Sequence, residues 1–208
     1  MKIIDNIENG LFLAQSKIEG AGVGLFTSKH IPIDVPVCEY KGDVFDSPEK
    51  LFSTGRYDYT LSQKLGAKLP LYTLGHNSGK LVDCQPWATK NIIGLGGFAN
   101  DAAGFRLRMA SGYMEKRKEI LGYTEERLIT TPEERETKSK WEIEIGYNTF
   151  YWAVPNETKF YLISMRNIKP GEEIFVNYGE KYWSKYIDAL TKNPNHFKEI
   201  SQKNEDNR

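Results

Sequence analysis

Two adjacent polar residues, Asn100 and Asp101, stand in the run GLGGFANDAAGF at residues 94–105, which otherwise carries only glycine, alanine, leucine and phenylalanine. An amide beside a carboxylate supplies hydrogen-bond donors and acceptors that could hold a polar ligand. Small neighbours would let another backbone segment or a ligand approach closely. The run is therefore either a glycine-rich loop without a function or a place where Asn100 and Asp101 are kept dry for a purpose.

The other glycine-rich stretch, GAGVGLF at residues 20–26, lacks the G-x-G-x-x-G spacing that opens a helix in dinucleotide-binding folds. It predicts a strand entry whose backbone a ligand can approach, or a plain turn. The sequence contains neither a P-loop nor a G-x-S-x-G nucleophile elbow. The paired carboxylates Glu172 and Glu173 follow a Pro-Gly turn, where we expect them to be exposed to solvent.

The charge balance and the cysteines narrow the class of protein. Lysine and arginine number 28, as do aspartate and glutamate, and this balance argues against a protein that coats nucleic acid. The two cysteines, Cys38 and Cys84, predict buried free thiols in a reducing compartment. No cluster of four Cys and His residues has the spacing of a structural zinc site, so no metal is predicted. With no stretch of about 18 apolar residues, we expect an intracellular protein, nuclear or cytoplasmic, that does not contact a membrane.

Short apolar stretches separated by turn residues predict many strands. They are GLFLAQ, GVGLFTSKHI, VPVCEYKGDVF, RYDYTLS, LPLYTLG, KLVDC, NTFYWAV and KFYLISM. Pro32 and Pro36 confine the third stretch to sheet edges and turns. NIKPGEEIFVNYG adds a predicted strand at Ile174–Tyr178. The predicted fold class is mainly β with short helices (α+β).

One domain over residues 1–187 is predicted, with a charged, helical insertion at residues 104–147. The part from 113 to 140 is dense in Glu, Lys and Arg and is interrupted by Gly122 and Pro132, which indicates two short helices. We interpret this insertion as a solvated excursion rather than a functional charge patch. EKYWSKYIDALTK has apolar residues at helical spacing, so residues 181–208 are expected to form a C-terminal helix and a polar tail.

An ordered series of segments indicates a family. GAGVGLF is followed by EYKG at 39–42, DYTL at 58–61, VDC at 82–84 and GFAND at 97–101, and SMRNIKPGEEIFVNYGEKYW at 164–183 closes the series. The series resembles the SET domain of protein lysine methyltransferases over about residues 11–187. The pattern R-x-I-x-x-G-E-E-I-x-x-x-Y-G at Arg166–Gly179 is typical of that family.

The resemblance implies small curved sheets and a C-terminal pseudoknot, in which the GFAND and VNYG segments thread through one another. It implies S-adenosylmethionine as the cofactor, S-adenosylhomocysteine as its product, and a lysine of a protein or peptide as the substrate. Tyr178 is the catalytic residue that it implies. The cofactor-binding residues that it implies are Ala21, Gly22, Val23, Asn100, Asp101, Tyr178 and Trp183.

A narrow channel for the substrate lysine is also implied, formed by Tyr59, Phe98, Val176 and Tyr182. Val176 stands where the family often has Phe or Tyr, a position that tunes how many methyl groups fit. Tyr182 and Trp183 are open to a second interpretation, as core positions of an amphipathic helix.

The chain departs from the family pattern in the middle of the candidate site. NDAAGFR stands where the family has NHSC-x-P-N, so Asp101 replaces a histidine. The later asparagine of that motif is expected at Asn148, behind the insertion. Because no zinc-binding cysteines surround the SET segment, the C-terminal helix is expected to close the site instead.

Two functions of different classes follow from these features. The first is S-adenosylmethionine-dependent methyl transfer to a protein lysine, with a histone tail as the expected substrate and a non-histone protein as the alternative. The second is a binding or scaffold module that keeps the fold without catalysis, which the NDAAG substitution favours and the retained Tyr178 opposes. The neutral charge opposes a third interpretation, nucleic-acid binding through exposed aromatic residues.

Overall fold

A computed structural model of the chain describes residues 3–6, 8–18, 21–55, 73–76, 78–84, 95–103, 112–121, 131–179 and 182–183. The predicted strand RYDYTLS, with the channel candidate Tyr59, lies outside these residues. So do the predicted C-terminal helix, apart from Tyr182 and Trp183, and the polar tail.

Strands in the described part of the chain form three antiparallel sheets of three strands each. The first sheet contains β1 (Ile3–Asn6), β2 (Leu11–Gln15) and β3 (Val23–Thr27) in that order. Residues 11–14 of β2 and 24–27 of β3 are buried. The predictions for GLFLAQ and for the first half of GVGLFTSKHI are therefore confirmed.

The second sheet has β4 (Pro36–Glu39) at one edge, β9 (Phe160–Ser164) in the centre and β8 (Thr149–Ala153) beyond it. Pro36 begins the edge strand β4, as its missing N–H requires. The third sheet pairs β7 (Leu81–Asp83) with β5 (Asp43–Phe45) and β6 (Thr73–Gly75).

The α-helices of the described residues are α1 (Pro48–Phe52), α2 (Tyr113–Leu121) and α3 (Pro132–Ile145). The hydroxyl of Thr131 accepts a hydrogen bond from the Glu134 N–H, and proline follows at the first helical position, so α3 begins with two favourable signals. Two helices in the charged insertion confirm the sequence prediction for that segment.

One face of α3 is not solvated. Trp141 is buried against Tyr113 of α2, with ring centroids 5.8 Å apart. Buried Glu142 accepts a hydrogen bond of 2.7 Å from the side-chain amide of Asn177 and lies 3.5 Å from the ammonium of Lys138. The interpretation of the insertion as a solvated excursion is therefore wrong for this face, which packs onto the domain.

The largest apolar core joins the first sheet to the second. Its fully buried members come from β2, β3 and β9 and from two segments outside the strands: Leu11, Leu13, Leu25, Ala99, Leu162, Ile168, Ile174 and Val176. Burial of such side chains supplies most of the favourable free energy of folding. None of the helices in the described residues is long and apolar enough to cross a membrane.

Both cysteines are free thiols, as predicted. Cys84 is buried as predicted, but Cys38 in the edge strand β4 is only partly buried, so the predicted burial is wrong for Cys38. Burial raises the pKa of each thiol to about 12, so neither is a thiolate near neutral pH.

The segment after Gly171 differs from its prediction. Ile174–Tyr178 was expected as a strand, but the chain there forms only isolated bridges, which link Glu173 to Phe26, Phe175 to Asn100 and Val176 to Thr149. The predicted strand is wrong because successive residues pair with three different segments rather than with one neighbour. We call residues 173–179 the closing segment.

Gly42 lies in the short connection between β4 and β5, where the backbone approaches β7 closely. A Cβ atom at this position would overlap the carbonyl group of Asp83 in β7, and backbone cannot move aside cheaply. We expect Gly42→Ala to lower the free energy of unfolding by about 1–3 kcal/mol, measured by urea denaturation.

Gly75→Ala is the matched control, because its new methyl group would meet only Leu81 at 3.9 Å. It should leave stability unchanged or raise it by less than about 1 kcal/mol, since alanine reduces the freedom of the unfolded chain. Equal effects of the two substitutions would contradict the close approach at Gly42.

Candidate active site

The closing segment lies beside the GFAND segment and between two strands. The Val176 N–H donates to the Asn100 carbonyl at 2.9 Å, and the Ile174 N–H donates to the Leu25 carbonyl at 2.7 Å. On the other side the Thr149 N–H donates to the Phe175 carbonyl at 3.0 Å. These bonds bring the two predicted motifs into contact, as the resemblance implies.

Asn148 fastens the closing segment with its side chain. Its amide nitrogen donates to the Glu173 carbonyl and its amide oxygen accepts from the Phe175 N–H, each at 2.7 Å. The side chain is fully buried and satisfies two backbone groups that have no strand partner there. Asn148 therefore occupies a place beside the closing segment despite the long insertion that separates it from Asn100.

Glu173 is buried, with 1% of its surface exposed, so the expectation that both adjacent glutamates face solvent is wrong for this one. Its carboxylate accepts hydrogen bonds from the Ser16 hydroxyl (2.7 Å), the Lys17 N–H (2.7 Å) and the Asn100 side-chain amide (3.0 Å). A buried carboxylate requires such donors to offset its lost hydration. Gly24 is needed beside it, because a Cβ there would overlap the carboxylate.

Asn100 has its amide group oriented by two acceptors. Its nitrogen donates to the Val23 carbonyl at 3.2 Å as well as to Glu173. Since both neighbours accept, the NH₂ group must face them and the amide oxygen must point the other way. No donor among the described residues bonds to that oxygen, and the side chain is only partly buried.

The loop at Ala21, Gly22 and Val23 is anchored to the same cluster. The Gly22 carbonyl accepts from the Ser16 N–H at 2.8 Å, and the Ala21 N–H donates to the Ile18 carbonyl at 3.1 Å. All three residues are partly exposed. The loop therefore presents backbone at the surface next to the oriented Asn100.

Asp101 has only 3% of its surface exposed, and its carboxylate accepts hydrogen bonds from four donors among the described residues. One carboxylate oxygen accepts from the Tyr147 hydroxyl at 2.5 Å and from the Ala103 N–H at 3.0 Å. The other accepts from the Tyr178 N–H at 2.9 Å and from the indole N–H of Trp183 at 2.8 Å. Cofactor contact by Asp101 stays a prediction, and the contacts of its carboxylate in the structure are to the protein itself.

Aromatic side chains line a slot of about 110 Å³ next to Asp101. The lining residues are Tyr40, Thr73, Leu74, Gly97, Tyr151, Tyr178 and Tyr182. The Tyr178 hydroxyl donates to the Ala99 carbonyl at 2.9 Å, which fixes the position of the phenol. The Tyr178 ring lies edge-on to Tyr182 at 4.9 Å and nearly parallel to Trp183 at 6.4 Å.

Two of the phenols that line the slot, those of Tyr40 and Tyr151, are uncharged near neutral pH. Burial raises the pKa of Tyr40, and nearby Tyr151 and Cys84 raise it further. Burial likewise raises the pKa of Tyr151 well above its usual value. Neither group can act as a phenolate base near neutral pH.

The structure does not gather all the predicted channel residues. Tyr182 lines the slot, but the Val176 side chain lies in the main core and Phe98 packs against that core. Tyr59 lies outside the described residues. No group of three or more His, Cys, Asp or Glu side chains in the described ranges could hold a metal ion.

Sequence reasoning missed Tyr40, Tyr151 and Glu173. Tyr40 lies in EYKG, which belongs to the ordered series of family segments, and Tyr151 lies in the predicted strand NTFYWAV. A signal was available, because alternation along a strand places Tyr151 on the same face as the buried Thr149. No sequence signal marks Glu173 as buried, since GEE in a turn is usually exposed.

The pair Glu172 and Glu173 provides a direct test of the buried carboxylate. Glu173→Gln should lower the free energy of unfolding by about 1–3 kcal/mol, because an NH₂ group then faces at least one donor. Glu172→Gln, at the surface ion pair with Arg166 (2.7 Å), should cost less than about 1 kcal/mol. Thermal denaturation of both variants measures the difference, and equal losses would contradict the role assigned to Glu173.

The comparison with curated proteins returns no significant match. Matching solved structures include a chain described as "ctPRC2 in an autoinhibited conformation bound to S-adenosylmethionine", at 18% identity and a TM-score of 0.46. The match covers 89% of this chain and 17% of that one, and nothing about function follows from a likeness of this size.

The family model described as "SET domain" matches residues 22–179, which contain Gly22 and Val23 of the loop, the GFAND segment and the closing segment. This match spans well over half of the chain. The chain therefore belongs to the SET domain family of S-adenosylmethionine-dependent protein lysine methyltransferases.

Proposed function

We propose that this protein is an active methyltransferase that moves methyl groups from S-adenosylmethionine to a lysine side chain of a protein. One observation carries the proposal: Tyr178, whose hydroxyl is fixed on the Ala99 carbonyl, lines a slot together with Tyr40, Tyr151 and Tyr182. The neighbouring Asn100 and the exposed loop backbone supply a polar surface next to it. An inactive scaffold would not need this combination of an aromatic slot and an oriented polar surface.

The residues present fit the cofactor. The amide oxygen of Asn100 is directed away from Val23 and Glu173 and is available to accept from an ammonium group such as that of the methionine end. The backbone of Ala21, Gly22 and Val23 would hold the rest of the molecule, and we keep Trp183 as the residue that packs on the adenine. When bound, S-adenosylmethionine supplies an electrophilic methyl group on a positively charged sulfur.

The slot prepares a lysine to act as a nucleophile. A free lysine has a pKa of about 10.4 and is protonated near neutral pH. Aromatic walls remove water from the ammonium, which lowers its pKa, and a neighbouring positive charge acts in the same direction. The proton can leave to water before the methyl group moves, so no dedicated base is required.

Tyr178 aligns the amine. Tyr178 lines the slot, and the bond from its hydroxyl to the Ala99 carbonyl holds the phenol in one position. Such alignment holds the two reacting groups together, which can lower the activation free energy by several kcal/mol. The rings of Tyr40, Tyr151 and Tyr182 would also attract the cationic form and the methylated product.

A histone tail is the first substrate that we propose, because histones are the commonest substrates of the family. Radiolabelled methyl transfer onto purified histones and onto a lysine peptide library, read by mass spectrometry, tests both the activity and its target. Titration calorimetry with S-adenosylmethionine accompanies it. Absence of measurable cofactor binding would favour the scaffold interpretation instead.

Tyr178→Phe isolates the phenol hydroxyl. We expect kcat to fall by about 100-fold, because the amine loses its alignment, while calorimetry still detects S-adenosylmethionine binding. Tyr161→Phe, which removes a hydroxyl from a tyrosine on β9 beside Trp152 and outside the slot lining, is the control and should keep full turnover. Unchanged turnover in Tyr178→Phe would refute this mechanism.

The pH profile follows from the raised pKa values of Tyr40 and Tyr151. Because burial raises both, the two phenols stay protonated through pH 10, and the substrate lysine alone should set the rise of kcat/KM with pH. We expect kcat/KM to increase from pH 7 toward the lysine pKa of about 10, with the same inflection in Tyr40→Phe. An inflection that moves in this variant would assign the titration to the phenol.

A further inference from the structure

We infer that Asp101 is a positioning residue, which holds the backbone of Tyr178 and the indole of Trp183 in place through one carboxylate oxygen. This inference rests on the proposed function for its kinetic readout. It gives a role to a residue that departs from the usual histidine of the family.

The geometry of the carboxylate carries the inference. The oxygen that accepts from Tyr178 N–H at 2.9 Å also accepts from Trp183 Nε1–H at 2.8 Å. This oxygen thus links Tyr178, which lines the slot, to Trp183, whose ring lies nearly parallel to the Tyr178 ring at 6.4 Å. A change at this oxygen displaces both residues together.

The second oxygen anchors the first. It accepts from the Tyr147 hydroxyl at 2.5 Å and from the Ala103 N–H at 3.0 Å. Tyr147 is fully buried in the cluster that contains Trp141 of α3, so the carboxylate is fixed on the packed face of the insertion. Asp101 therefore connects the insertion to the catalytic tyrosine.

A histidine could not make these contacts. All four partners donate, and a carboxylate offers only acceptors, with two oxygens to share among them. A neutral imidazole offers a single acceptor nitrogen and therefore could satisfy one or two of the four at most. The aspartate accepts from both Tyr147 and Trp183. We therefore expect that Asp101→His would lose some of these hydrogen bonds rather than improve the site.

Asparagine is a more conservative replacement than it first appears. Its amide oxygen can keep the bonds to Tyr178 and Trp183, while its NH₂ group donates to the Tyr147 hydroxyl, which can turn to accept. Only the Ala103 N–H then loses its acceptor. The inference therefore ranks wild type above Asp101→Asn, and Asp101→Asn above both Asp101→Ala and Asp101→His.

The first test measures kcat of each variant on histone or peptide substrate, at a temperature where circular dichroism shows the variant fully folded. We expect Asp101→Ala and Asp101→His to lose about 10- to 100-fold in kcat, a loss typical of misplaced catalytic groups, and Asp101→Asn to recover most of it. Tyr147→Phe is the matched control, because it removes a buried bond from the other oxygen only. It should lower Tm while losing much less kcat than Asp101→Ala.

The second test does not depend on activity. The chain has four tryptophans, so ¹⁵N labelling gives four indole N–H resonances, and the one absent from Trp183→Phe is that of Trp183. This resonance should move in Asp101→Ala and stay near its wild-type position in Asp101→Asn. S-adenosylhomocysteine affinity by calorimetry should weaken in Asp101→Ala and recover in Asp101→Asn.

The outcomes separate the two proposals. Lowered Tm with unchanged kcat in folded Asp101→Ala, or an indole resonance that stays in place, would overturn the positioning role. If wild-type protein methylates no substrate, the proposed function fails, and the indole shift and the S-adenosylhomocysteine affinities still decide the role of Asp101.

Discussion

A buried carboxylate with no basic partner among the described residues must be surrounded by hydrogen-bond donors, and the surrounding structure is arranged to meet that requirement at Glu173. The donors come from Ser16 and Lys17 at the end of β2 and from Asn100 in the GFAND segment. Meeting the requirement orients the Asn100 amide, holds the backbone before the loop at residues 21–23 and requires glycine at position 24. The polar side of the site is thus a consequence of stabilising one negative charge in the interior.

The charged insertion belongs to this arrangement rather than to the surface alone. Its helix α3 leads into Tyr147 and Asn148, and these two residues contact Asp101 and the closing segment respectively. Glu142 of the same helix holds the Asn177 side chain, one residue before Tyr178. Asn177 is therefore positioned from α3 itself, and Glu173 and Phe175 are positioned from Asn148, which follows the helix closely.

The fold class, most strands and both helices of the insertion were predictable, because alternation and turn residues are local properties of the sequence. The strand predicted at Ile174–Tyr178 failed because its pairing is divided among distant segments, which no local pattern records. The order of the motifs indicated the family and predicted that the segments with Asn100 and Tyr178 lie next to each other. It missed Tyr40 and Tyr151 as slot walls, since an aromatic residue in a strand usually indicates core packing. The burial of Glu173 and Asp101 depends on donors from four parts of the chain and lies beyond sequence reasoning.

The bond between Ser16 and Glu173 joins residues 157 positions apart, and it has a consequence for how the protein is made. Contacts at such separation form late in folding, because closing the intervening loop costs entropy before the contact can repay it. During synthesis Ser16 and Lys17 leave the ribosome long before Glu173, the carboxylate that they bind, exists. The first sheet can form early from neighbouring strands, but the bonds at its polar end require that the closing segment has docked. The polar end of the sheet and the closing segment therefore reach their final geometry together.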